Sequence, residues 1–180
     1  MLIFCMLDES GFGLMALYAC LIHELGHMIA MLLVKSKPDK ILFYCAGIKI
    51  HNSMQYKLSF IKELLVLSFG SAINFLMFFL LYFNIHTETA SVFAIIHLLI
   101  GIFNLLPVNM FDGGKIIELI LSHFLLPDKA YYISKCIGTA FTLLLLFAAI
   151  LMFSFDIVNF TFLLTICYIC IATIIFPYFS

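Results

Sequence analysis

Uninterrupted apolar runs constrain this chain more than any other feature. Gly11–Val34, Ile61–Phe83, Ala90–Leu106, Tyr131–Phe155 and Ile157–Phe179 carry few charges between them. A helix crosses the hydrocarbon of a bilayer in about 20 residues. The runs therefore predict an all-α integral membrane protein with about five transmembrane helices. The chain is 65% hydrophobic, with a mean hydropathy of +1.20, which leaves no room for a large water-soluble domain. One membrane-embedded domain is expected over residues 1–180, with a core at 11–129 and scaffold helices at 131–179. Met1–Ser10 is too short to span. It lacks the basic start and small-residue cleavage site of a signal peptide, so it reads as an abbreviated span or an interfacial stub.

Charge narrows the partners. The net charge is −1 and all nine cationic residues are Lys, so no basic surface points to nucleic acid. The expected surroundings are the lipid bilayer. Six of the nine lysines fall in Lys35–Lys62, and the other three in Lys115–Lys135. By the excess of positive charge on cytoplasmic loops, both regions face the cytoplasm. Asp8-Glu9, His86–Thr89 and Asp156 then fall outside.

Inside the first run lies His23-Glu24-Leu25-Gly26-His27, an H-E-x-x-H pattern. On a helix, residues four apart share a face, so both imidazoles can reach one metal ion. Glu24 can sit beside a metal-bound water and take its proton. Ionisable residues in a membrane span are costly and by default functional. Zinc supplies a reason for all three, since it binds imidazole nitrogen and keeps an open position for water. The competing reading is a pair of hydrogen-bonded core histidines.

Further along, Lys40–Ile50 holds two short β-prone runs around Ala46-Gly47 and reads as a weak hairpin near the interface. The second run contains Gly70-Ser71-Ala72-Ile73-Asn74. A small residue there permits close helix approach, and Asn74 brings an amide into the membrane; the pattern reads equally as a packing seam. The third run is broken by Pro107, followed by Val108-Asn109-Met110-Phe111-Asp112-Gly113-Gly114. Pro107 removes a helix hydrogen bond, and the glycine pair is expected to let the backbone turn sharply. Asp112 is a ready third ligand beside two histidines, or else the N-cap of a helix opening at Gly113. Lys115–Leu126 reads as a short amphipathic helix. With the lysine-based orientation, His23, His27 and Asp112 all fall at one depth, toward the cytoplasm.

The cysteines read as small apolar residues, including the Cys167-x-x-Cys170 pair, whose redox or metal reading lacks a second pair. His51, His86 and His123 read as loop or interface residues. His97 reads as a core histidine, or as a group touching Asp112 that tunes the site.

Three separated patterns together resemble the site-2 protease family of intramembrane zinc metalloproteases: His23-Glu24-Leu25-Gly26-His27, Gly70-x-x-x-Asn74, and Asn104-Leu105-Leu106-Pro107 followed by Asp112-Gly113. The resemblance covers about Gly11 to Lys129 and is greatest to the compact bacterial branch typified by sporulation pro-sigma-factor processing proteases. It implies that His23, His27 and Asp112 hold one Zn2+ per chain and that Glu24 is the catalytic base. Asn74 and Asn104 would position the substrate strand or stabilise the oxyanion. It also implies a multi-pass cell-membrane protein acting on membrane-protein or membrane-associated peptides. The usual preceding span is reduced here to Met1–Ser10, and neither a PDZ-like insertion nor a regulatory CBS domain is seen. His97 stands where a smaller or amide residue is expected. Two other readings stay open: a catalytically silent homologue that binds transmembrane segments, and a zinc protease whose third ligand is Glu63 or Glu118. The sequence also leaves a homo-oligomer open.

Overall fold

The computed structural model describes residues 11–35, 40–44, 47–51, 59–155 and 159–175. Met1–Ser10, read above as a stub, lies outside the described residues. Six helices are described: α1 (Phe12–Leu33), α2 (Phe60–Asn84), α3 (Glu88–Asn104), α4 (Asp112–Phe124), α5 (Pro127–Ser154) and α6 (Phe160–Ile175). Between α1 and α2, β1 (Lys40–Tyr44) pairs antiparallel with β2 (Gly47–His51), with Lys40 opposite His51 and Tyr44 opposite Gly47. Three helices, α1, α2 and α5, are long and apolar enough to cross a membrane; α3 and the 162–173 stretch of α6 are apolar but shorter. The chain divides after Asn104 into two compact units.

In the first unit, α1, α2 and α3 pack against one another pairwise. Apart from Met31, its buried residues are small or polar, among them Ala19, Ala30, Ala94, Ser71, Asn74, His23, His27 and His97. Its large apolar side chains point outward, among them Leu14, Leu21, Leu25, Leu76, Phe79, Phe83 and Leu99. That is the arrangement expected of helices solvated by lipid. Leucine gains little by leaving hydrocarbon, so close packing and interhelical hydrogen bonds hold the helices together. The crossing of α1 and α2 is a backbone contact. A Cβ added to Gly26 would lie 2.9 Å from the Gly70 Cα and from the Phe69 carbonyl oxygen. The α2–α3 seam is set by Gly101, over which the Phe75 ring lies.

The second unit opens with the turn that follows Pro107. The Val108 amide donates to the Leu106 carbonyl (2.7 Å) and the Phe111 amide to the Val108 carbonyl (2.8 Å). Helix α4 begins at Asp112, and α5 packs against both α4 and α6. Two sequence expectations change here. Gly113 and Gly114 do not supply a left-handed turn, since Gly11 alone among the described glycines has positive φ. They are helical, and a Cβ on either would collide with the carbonyls of Leu105 and Leu106 or of Val108. Their smallness lets the first turn of α4 fold back onto the preceding loop. Nor is Asp112 the N-cap. Phe111 takes that position without a side-chain cap. Helix α5 buries Ala130, Ser134, Gly138, Thr142 and Ala149. The first four recur every four residues, so they form one stripe of small side chains. Ser134 Oγ donates to the Gly114 carbonyl at 3.2 Å, tying this stripe to α4.

The cysteines Cys20, Cys136, Cys167 and Cys170 are all free.

Candidate metal centre

Helix α1 presents His23 and His27 on the face that meets α2, and both are buried. Their Nε2 atoms are 3.1 Å apart, with the rings edge to face at a centroid distance of 4.8 Å. The outer nitrogen of each ring is held from α2. His27 Nδ1 donates to the Val66 carbonyl at 2.7 Å. His23 Nδ1 lies 3.3 Å from the Asn74 amide nitrogen. The other end of that amide, Oδ1, lies 2.9 Å from His97 Nδ1 on α3. Asn74 and His97 have no solvent exposure at all.

Glycine makes room for the pair. A Cβ at Gly70 would stand 2.6 Å from His27 Nε2 and 2.8 Å from His23 Nε2. Any other residue there would occupy the space in which the two imidazoles meet.

This half-site fits zinc. Two nitrogens at about 2.0–2.1 Å from a tetrahedral ion are about 3.3 Å apart. The observed 3.1 Å comes within a few tenths of that. Because the Val66 carbonyl can only accept, His27 carries its proton on Nδ1, and its Nε2 lone pair is available to a metal. Backbone carbonyls commonly fix ligand tautomers in this way.

Glu24 follows His23 on α1 and is half-buried. Asn104, at the last turn of α3, gives its amide to its own helix, Nδ2 donating to the Ile100 carbonyl at 3.0 Å. In the second unit Asp112 is buried in the first turn of α4, and Lys115 Nζ lies 3.2 Å from its Oδ1. Of the alternative third ligands, Glu63 is exposed in the first turn of α2, and Glu118 is half-buried in α4. The structure thus gathers His23, His27 and Asn74. It adds His97 through Asn74, a contact that sequence spacing could not supply.

Residues 80–145 match peptidase family M50. The fold is similar to that of the site-2 protease from Methanocaldococcus jannaschii, with a TM-score of 0.67 and 22% identity over 94% of this chain and 81% of that one. The first match covers part of the chain, from α2 to α5, and the second is a likeness of fold. No curated protein matches the chain. The M50 match takes in Asn104, Pro107, Asp112 and the α4 turn, but begins after His23, His27 and Asn74. The histidine pair therefore lies outside the matched segment.

Proposed function

We propose that this chain is an intramembrane zinc endopeptidase that cleaves peptide bonds in or near the transmembrane segments of membrane-associated substrates. The observation that carries the reading is the buried pair of Nε2 atoms 3.1 Å apart, with His27 fixed as a lone-pair donor by the Val66 carbonyl. His23 and His27 would hold one Zn2+, with Asp112 as the third ligand. The case for Asp112 is its burial in the first turn of α4, after the helix break at Pro107, together with the family likeness. Zinc, when bound, activates water and polarises a carbonyl at neutral pH.

The chain's own residues supply the rest. Glu24 takes the proton of the attacking water and returns it to the leaving amine, as a general base and then acid. The packed faces of α1, α2 and α3 keep bulk water from the imidazoles. The lysine-rich loops favour a site toward the cytoplasmic side of the cell membrane. A substrate helix hides its carbonyls in its own hydrogen bonds, so it must unwind before attack. The β1–β2 sheet has two strands, so among the described residues each strand keeps one open edge. An unwound strand can add to that edge through backbone hydrogen bonds. Gly47→Pro at the end of this ladder is expected to slow cleavage several-fold without changing zinc content. Unchanged cleavage would remove the hairpin from the mechanism.

The deciding experiment is metal analysis of detergent-purified protein beside His23→Ala and Asp112→Ala. About one zinc per chain in the wild type, lost in both variants, is expected from the three ligands. Full zinc in Asp112→Ala would return the third position to a glutamate. A folded wild type that takes up no zinc would overturn the reading.

A further inference from the structure

The hydrogen bonds around Asn74 constrain more than packing. A neutral imidazole has one N–H and one lone pair, and an amide has one donating and one accepting end. Asn74 lies between His23 Nδ1 and His97 Nδ1, at 3.3 and 2.9 Å. Whichever histidine faces the amide oxygen must carry its proton on Nδ1. The other must accept there, and so carries its proton on Nε2. With both rings neutral, His23 and His97 therefore hold opposite tautomers.

In the structure the amide oxygen faces His97. His97 then donates from Nδ1, and His23 Nδ1 accepts from the amide nitrogen. The His23 proton sits on Nε2, from which it reaches His27 Nε2 at 3.1 Å. His27 in turn donates its Nδ1–H to the Val66 carbonyl. Every link of this chain is made, and in it the His23 Nε2 lone pair does not exist. A metal ligand at His23 Nε2 needs the reverse order. The amide oxygen must face His23, and the amide nitrogen must face His97.

His97 is free to make that exchange. It is fully buried, and its Nε2 has no hydrogen-bond partner among the described residues. Nothing described on its far side fixes a tautomer. The two ends of an amide have nearly the same shape, so a flip of Asn74 changes donors without repacking.

We propose that His97, acting through the Asn74 amide, is the tautomer partner of His23. Metal capture at His23 Nε2 flips the amide and moves the His97 proton from Nδ1 to Nε2. His23 makes the opposite shift, from Nε2 to Nδ1. Each ring holds one proton before and after, and the exchange runs through water during local opening, giving up a proton at one nitrogen and taking one at the other, with no net uptake or release. His97 is a positioning residue, three helices from end to end of the relay. This inference rests on the metal-site reading above.

The test is the tautomer of His97 in detergent-purified protein labelled with 15N-histidine, read by long-range proton–nitrogen correlation with and without zinc. Its signals are identified by their loss in His97→Gln. The expected result is a Nδ1–H pattern without zinc and a Nε2–H pattern with it. Asn74→Asp provides the second arm, because a carboxylate accepts at both ends and lets both histidines keep Nδ1–H together. That variant should bind zinc at least as tightly as the wild type, by up to roughly 10-fold, the lower part of the range for groups orienting metal ligands. Its His97 should stay Nδ1–H when zinc is added. Zinc bound at one per chain with an unchanged His97 tautomer in the wild type would overturn the relay and leave the metal site standing. A zinc-driven shift of His97 in Asn74→Asp would also overturn it. No zinc binding at all would overturn both.

Discussion

Glu24→Gln should abolish peptide cleavage while leaving zinc content and helical structure unchanged. Glutamine has the shape of glutamate but cannot take a proton from water at neutral pH. General base catalysis contributes about 10²–10⁴-fold, so the residual rate should fall by at least about 100-fold. Two contacts that aim the histidines come from α2. His27 is held by the Val66 carbonyl and His23 by the Asn74 amide. Metal loading should therefore survive the change. The check is cleavage of a membrane-inserted test peptide in detergent or liposomes, with metal analysis of the same preparation. A Glu24→Gln protein that cleaves at the wild-type rate would require another base. A wild type that holds zinc but cleaves no peptide would point to the silent, segment-binding homologue.

Much of this could be read from the chain because lipid simplifies the sequence. Apolar runs gave α1 as Gly11–Val34 against Phe12–Leu33 observed, and α2 as Ile61–Phe83 against Phe60–Asn84. The third run was carried to Leu106, whereas α3 stops at Asn104. The proline at 107 disfavours helical geometry in the residue before it, and that shortens the end. Spacing on one helix also gave the histidine pair, since i and i+4 must share a face. What spacing cannot give is which faces of different helices meet. His97 was read either as a core histidine or as a neighbour of Asp112, and the structure gives it to Asn74, 23 residues earlier on the adjacent helix. Asn74 read as a substrate or oxyanion group, and the structure has both ends of its amide on imidazoles. The apolar helix at 131–155 read as featureless scaffold. Its signal was small residues at four-residue spacing, Ala130, Ser134, Gly138 and Thr142, a pattern hidden from a search for polar groups. The glycines after Asp112 were read for their freedom to turn, when the physical need is the closeness of the Leu105 and Val108 carbonyls.

Gly70→Ala tests whether the close approach of α1 and α2 is what builds the site. On helix propensity alone the change is favourable, because glycine costs about 1 kcal/mol relative to alanine inside a helix. Packing predicts the opposite sign. The new methyl would stand 2.6 Å from His27 Nε2 and 2.8 Å from His23 Nε2 and Cε1. The helices are already at backbone contact through Gly26, so α2 meets α1 with no slack side chain between them. Relief must come from turning the imidazoles or from separating the helices. Turning breaks the His27–Val66 and His23–Asn74 contacts that aim the two nitrogens, and overpacking of this kind costs about 1–3 kcal/mol. Zinc per chain should fall from about one to near zero, with activity lost in parallel and helical circular dichroism retained. Gly101→Ala is the matched control. The three atoms nearest its methyl would all belong to the Phe75 ring, the first at 2.8 Å. An aromatic ring edge can swing aside, so zinc should be retained even where stability drops. Zinc retained in Gly70→Ala would mean that the imidazoles tolerate a methyl between them and α2. The glycine would then serve the helix crossing alone, and the two Nε2 atoms would owe their meeting to Val66 and Asn74.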